Sequence, residues 1–213
     1  MKRMRSRLLL SVLALLVYVQ AICQADEEGF VLVKREPPFE VHERWIEFPG
    51  KTPAVTSREL KSEFTVRAKL HEIIKFIKDE SQIASWQSHV SMYKIYPKTD
   101  TSHWEEYSRH DVPWPVSDQD SFLEYRLTGI NENVLLITFK SRVDDRLAPV
   151  YKDVNRVELT GSWKLERVSN EVVRVTYRIQ SAPVTNLPRI IVDPFIRNNL
   201  LASMRSMTEM VEK

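Results

Sequence analysis

Thiols are nearly absent from this chain. Cys23 is its only cysteine, so no disulfide can form within it and no thiolate cluster can hold a metal. Glycine is scarce as well, with four residues, and none sits in a Gly-x-Ser-x-Gly nucleophile elbow. His71-Glu72-Ile73-Ile74-Lys75 opens like a zinc-protease helix, but Lys75 stands where the second imidazole must be. The remaining histidines, His42, His89, His103 and His110, are scattered and read as surface positions. No metal and no cofactor is expected. Long apolar runs are missing too. Leu8 to Ile22 is interrupted by Gln20 and falls short of the ~20 residues a spanning helix needs.

That run has the layout of an export signal. Lys2, Arg3, Arg5 and Arg7 precede it, and Cys23-Gln24-Ala25 forms a small-residue exit before Asp26-Glu27-Glu28. The expected organisation is a signal peptide over residues 1–25 and one domain over 26–213, exported to the periplasm or secreted after cleavage near Ala25. The alternative is a retained membrane anchor. Cleavage changes the charge: the chain carries 31 basic and 29 acidic residues, and losing the four basic ones leaves a formal net of −2. The basicity belongs to the signal, so no nucleic-acid partner is expected. Cys23 departs with it, and the mature chain must be held together by its core.

What is present is alternation. Phe39, Val41 and Trp45 alternate with His42 and Arg44, as in a half-buried strand, and Leu60, Phe64 and Val66 alternate with Glu59, Lys61 and Glu63. The period then changes. Leu70, Ile73, Ile74 and Ile77 form one stripe of a helix over 68–78, and a second short helix carries Ile83 and Trp86. Strands follow over about 89–96, 102–110, 120–128, 133–143, 153–165 and 171–180. The clearest ones place Leu135, Ile137 and Phe139, then Trp163 and Leu165, then Val173, Val175 and Tyr177 on a dry face, with Lys140, Arg142, Lys164 and Arg174 on a wet one. Gly161 falls on the dry face, where a missing side chain signals a bend or a close approach. The last segment is helical. Val192, Ile196, Leu200, Met204, Met207 and Val211 make its stripe, and Arg189, Asp193 and Arg197 lie away from it. Asp193-Pro194 reads as its N-cap and first helical position.

These elements specify an α+β domain: a curved antiparallel sheet of about nine strands, a short helical pair after the third, and a long C-terminal helix in the concave face. Such a sheet curls, and the geometry leaves room for a cavity between helix and sheet. By alternation Trp104, Glu106, Tyr125, Phe139, Trp163 and Tyr177 point into it. A carboxylate on that dry face costs several kcal/mol unless it is paired or hydrated.

Strands 102–110 and 120–128 flank Val112-Pro-Trp-Pro-Val-Ser-Asp-Gln-Asp120, where two prolines hold Trp114 at a stiff corner. With Gly161-Ser162-Trp163 and with Leu187-Pro188 ahead of the final helix, in this order, the chain resembles the START (steroidogenic-acute-regulatory-related lipid transfer) domains of the helix-grip superfamily. The resemblance covers about residues 30–212. It departs at Gln119, where the family usually has Arg, and at Tyr125, where some members place a basic partner for the acidic residue that here falls on Glu106.

The resemblance implies the helix-grip fold and non-covalent binding of one lipid or other hydrophobic small molecule in an internal tunnel. It also implies a gate made by the C-terminal helix and neighbouring loops. The residues expected at the gate are Trp114, Leu147, Val150, Leu200, Met204 and Met207, and the expected protein is a monomer that touches membrane surfaces transiently. The other function class is a cavity enzyme of the same superfamily, a cyclase or hydrolase. Its acid–base pair would be Glu106 with Tyr125 or His103.

Overall fold

The computed structural model describes residues 28–98, 100–183 and 187–213. The expected signal and its cleavage site near Ala25 lie outside the described residues. The strands are β1 (Val31–Glu36), β2 (Phe39–Glu47), β3 (Thr56–Val66), β4 (Val90–Pro97), β5 (His103–His110), β6 (Gln119–Asn131), β7 (Val134–Ser141), β8 (Asn155–Arg156), β9 (Leu159–Ser169) and β10 (Val172–Ser181). The helices are α1 (Leu70–Ile77), α2 (Ile83–Trp86) and α3 (Arg189–Val211). Nine strands form one antiparallel sheet in the order β1-β2-β3-β10-β9-β7-β6-β5-β4. The run expected as one strand over 153–165 is two. Asn155 and Arg156 pair in parallel with Gln119 and Asp120 of β6, and β9 then begins on a different partner, β7.

Because side chains alternate along a strand, one face of the sheet is dry. Phe39, Val41, Phe64, Leu123, Ile137, Leu165 and Val175 all point to it and merge with α1, α2 and α3 into one core. Gly161 sits there by necessity. A β-carbon at this position would lie 2.2 Å from the Arg178 carbonyl oxygen and 2.4 Å from the Phe139 ring. The expected close approach is therefore real, and Phe139 fills the space.

Helix α3 starts earlier than Asp193-Pro194 suggests. Pro188 is its N-cap, and the Ile191 and Val192 N–H groups donate to the Pro188 carbonyl at 3.0 and 3.3 Å. Pro194 lies inside the helix, where the ring removes the N–H that would reach the Ile190 carbonyl. The two halves of α3 are held differently. Leu200, Leu201, Met204 and Met207 are buried, worth roughly 6–12 kcal/mol at ~1.5–3 each. The first half rests on charge. Arg58 of β3 pairs with Asp193, Arg189 and Arg197 reach Glu43 of β2 at 3.2 and 2.9 Å, and both also reach Asp193. The Trp45 ring lies beneath the Arg189 guanidinium at 4.4 Å. Asp193, expected on the wet side of the helix, is thus buried against the sheet. Burial opposes its ionisation, but hydrogen bonds from Arg189 and Arg58 hold its carboxyl below the usual range.

Candidate functional site

Between the first half of α3 and the mouth end of the sheet lies a cavity of about 300 Å³. Three segments build its rim. The first is the loop after α2, Gln87-Ser88-His89. His89 adopts a φ of 63°, a left-handed conformation that costs a non-glycine residue of order 1 kcal/mol. In return its carbonyl accepts the Asp111 N–H at 2.9 Å, and Nδ1 of His110 comes within 3.3 Å of the Ser88 carbonyl. The loop is thereby fastened to the end of β5.

The second segment is the Pro-Trp-Pro corner. Asp118 closes it by accepting the Val112 N–H at 3.1 Å. Asp120 then binds Arg156 at 2.6 and 2.9 Å and the Tyr107 hydroxyl at 3.1 Å. Val112 and Val116 line the cavity, while Trp114 between them is 92% exposed. The third is α3 itself, which contributes Val192, Phe195, Ile196, Leu200 and Met204. The floor is Trp163 and Tyr177, with Trp86 and Leu60 beside them.

Of the six residues expected to line the cavity, Trp163 and Tyr177 do so. Phe139, Tyr125 and Trp104 continue from them as a ladder of rings: Tyr177 to Phe139 is 6.1 Å, Phe139 to Tyr125 is 5.2 Å, and Tyr125 stacks on Trp104 at 5.0 Å. Glu106 is buried beside this ladder, near enough to the cavity end that burial and its charge together push the Tyr177 phenol up. Desolvation pushes the Glu106 carboxyl up to about 7, moderated by hydrogen bonds from the Tyr93 and Tyr125 hydroxyls. Burial and the neighbouring carboxyl push both phenols up in turn. His103 is on the opposite face, 2.9 Å from Glu124, so the structure brings Glu106 to Tyr125 and not to His103.

Of the expected gate residues, Leu200 and Met204 line the cavity, and Met207 is fully buried behind them. Leu147 packs on the outer face of the sheet with Tyr107, Phe122 and Ala148, and Val150 on the same loop is exposed. Sequence reasoning missed His89, His110, Asn199 and Ser203 on the cavity wall. For His110 the signal was available, since it shares the parity of Trp104 and Glu106 along β5.

The STAR-related lipid transfer protein of Xanthomonas axonopodis superposes with a TM-score of 0.71 at 19% identity, over 87% of this chain and 99% of that one. Human StAR-related lipid transfer protein 5 gives 0.72 at 14% identity, over 99% and 98%. The fold is that of a START domain. A Streptomyces Zhui aromatase/cyclase is a more distant neighbour of this START fold, with a TM-score of 0.53 and 12% identity over 73% of this chain and 94% of that one. By sequence, an uncharacterized protein of Pseudomonas aeruginosa is 24% identical over 149 residues, 70% of this chain and 72% of that protein. No protein-family model matches the chain.

Proposed function

We propose that this protein binds one hydrophobic ligand non-covalently in the cavity under α3 and passes it to or from a membrane. The observation that carries the reading is the cavity itself: a concave space of about 300 Å³ walled mainly by apolar side chains of α3 and the inner sheet face. That is the lower end of the size range of small-molecule sites, and it suits one hydrocarbon body better than the paired chains of a diacyl lipid. The neighbours whose names describe lipid transfer support the reading.

The gate of this proposal is the first half of α3 together with the Trp114 corner. This half borders the cavity, contains Pro194 and lacks the buried Leu and Met contacts of the second half. Trp114, Ile190 and Ile191 are exposed apolar side chains flanking residues of the mouth, a surface suited to brief contact with a bilayer. The charge of the signal-like segment supports export and action outside the cytoplasm.

The cyclase-or-hydrolase reading draws on the aromatase/cyclase neighbour. It is weaker, because Glu106 is not among the described residues that line the cavity and His103 is on the other face. The deciding experiment is mass spectrometry of an organic extract from protein purified from its own host. One hydrophobic compound in stoichiometric amount is expected. A chain that comes out empty, and that also takes up no hydrophobic probe, would overturn the proposal.

A further inference from the structure

The polar chemistry of the cavity narrows the class of ligand. No lysine or arginine is among the described residues that line it. Its one carboxylate, Asp120, is already occupied by Arg156 and Tyr107. A phosphate or ionised carboxylate drawn inside would leave water and meet no opposite charge, at a cost of several kcal/mol. The wall is built for a neutral group.

His110 shows which kind. Its Nδ1 lies 3.3 Å from the Ser88 carbonyl oxygen, which can only accept, so Nδ1 carries the ring proton. Burial holds the imidazolium below its ordinary value, and His89 opposes charge there as well, while Asp111 and the Ser88 carbonyl act the other way. The neutral ring with a protonated Nδ1 has a bare lone pair on Nε2. Among the described residues no hydrogen bond engages that atom, and it is not one of the sealed polar atoms of the interior. The strained backbone of His89 directly follows the Ser88 carbonyl, and the His89 carbonyl ties this loop to the end of β5 through the Asp111 N–H. Strain of this sort collects where geometry serves a ligand.

We infer that His110 Nε2 is the hydrogen-bond acceptor that selects the cavity's ligand, a hydrophobic body bearing a neutral donor such as an alcohol, in preference to ethers, esters, phosphates and carboxylates. This rests on the hydrophobic-ligand reading above and adds the ligand's polar end to it. Gln119, Ser121, Asn199 and Ser203 stand on the same wall and complete a neutral, polar mouth.

The test compares dodecanol with dodecyl methyl ether, which keeps the chain and the oxygen but loses the donor. Binding is read by calorimetry and by the fluorescence of the tryptophans beside the cavity. The protein should prefer the alcohol by about tenfold, the worth of one net hydrogen bond. His110→Phe should bring the alcohol down to the level of the ether without changing the ether. Nitrogen NMR should show the His110 Nε2 resonance moving with dodecanol and not with the ether. That measurement and the comparison of the two probes both use the unmodified chain, so they decide even if His110→Phe does not fold. Equal binding of both probes, or a preference that survives His110→Phe, overturns the role of His110 and leaves the cavity reading standing. Binding of neither probe overturns both.

Discussion

Phe139 and Gly161 pair across β7 and β9, and the phenyl ring occupies the place a β-carbon on Gly161 would take, 2.4 Å away. The Arg178 carbonyl oxygen crowds the same point at 2.2 Å. A ring can rotate, but a carbonyl inside a paired strand cannot. Gly161→Ala should therefore destabilise the domain by about 1–3 kcal/mol, and shortening Phe139 in the same chain should not restore it. Urea unfolding of the single and double variants checks this, and full rescue by Phe139→Ala would assign the crowding to the ring alone.

Glu106 makes stability depend on pH. Its folded carboxyl titrates at about 7, above the ordinary value for Glu. Between roughly pH 4.5 and 7 the folded state holds a proton that the unfolded chain has lost, so stability falls as pH rises through that window, by about 3 kcal/mol in all. Carboxyls held low by cations, such as Asp193, give the opposite slope at more acid pH. The difference between wild type and Glu106→Gln isolates the effect. That difference should favour wild type near pH 4.5 and shrink or reverse by pH 8, with Tyr93, Tyr125 and Tyr177 unchanged around it. A pH-independent difference would place Glu106 in contact with water.

The charged fastening of α3 should set the rate of ligand exchange. Asp193→Ala leaves Arg58 buried with one acidic neighbour, Glu43, at 3.4 Å. A loss of about 2–3 kcal/mol is expected, near the low end for breaking a buried pair because the network reaches the surface through Arg189. Exchange of a bound fluorescent lipid should speed up while equilibrium occupancy changes little. An unchanged rate would move the gate elsewhere.

The converse experiment ties the gate shut. The rings of His89 and Phe195 are 5.8 Å apart across the mouth. A pair of cysteines at these positions, with Cys23 removed by cleavage or substitution, joined by a short reducible thiol cross-linker, should slow exchange, and reduction should restore it. Equal rates in the two redox states would show that the ligand enters by another route.

Export has its own check. The mature chain isolated from outside the cytoplasm should begin at Asp26 on N-terminal sequencing, and a chain still beginning at Met1 there would favour the anchor.

The fold was largely legible because both faces of most strands obey the period-two rule, and α1 and α3 obey the helical one. Three features escaped for physical reasons. The break between β8 and β9 leaves alternation intact, since two residues pairing in parallel with β6 carry no periodic signature. Asp193 was misplaced because a charge enters a dry face when its partner is another buried charge, and Arg58 is 135 positions away in the chain. The cavity wall was half-seen. Its aromatic floor follows from parity, but the rim is made by loop residues such as His89 and Ser88, whose positions depend on a single backbone conformation.

The strand order also governs how the molecule can be assembled. β3 pairs along its length with β10, so Arg58 waits for Ser181 and Val66 for Val173. As the chain is synthesised, the first three strands have no neighbour on that side until almost every other element has emerged. Contacts so distant along the chain make folding slow, and the β3 edge of the β1–β2–β3 meander stays unpaired until β10 arrives. On the proposal of export, that delay has a use: the same pairing that completes the finished sheet keeps it from completing before the chain has been threaded.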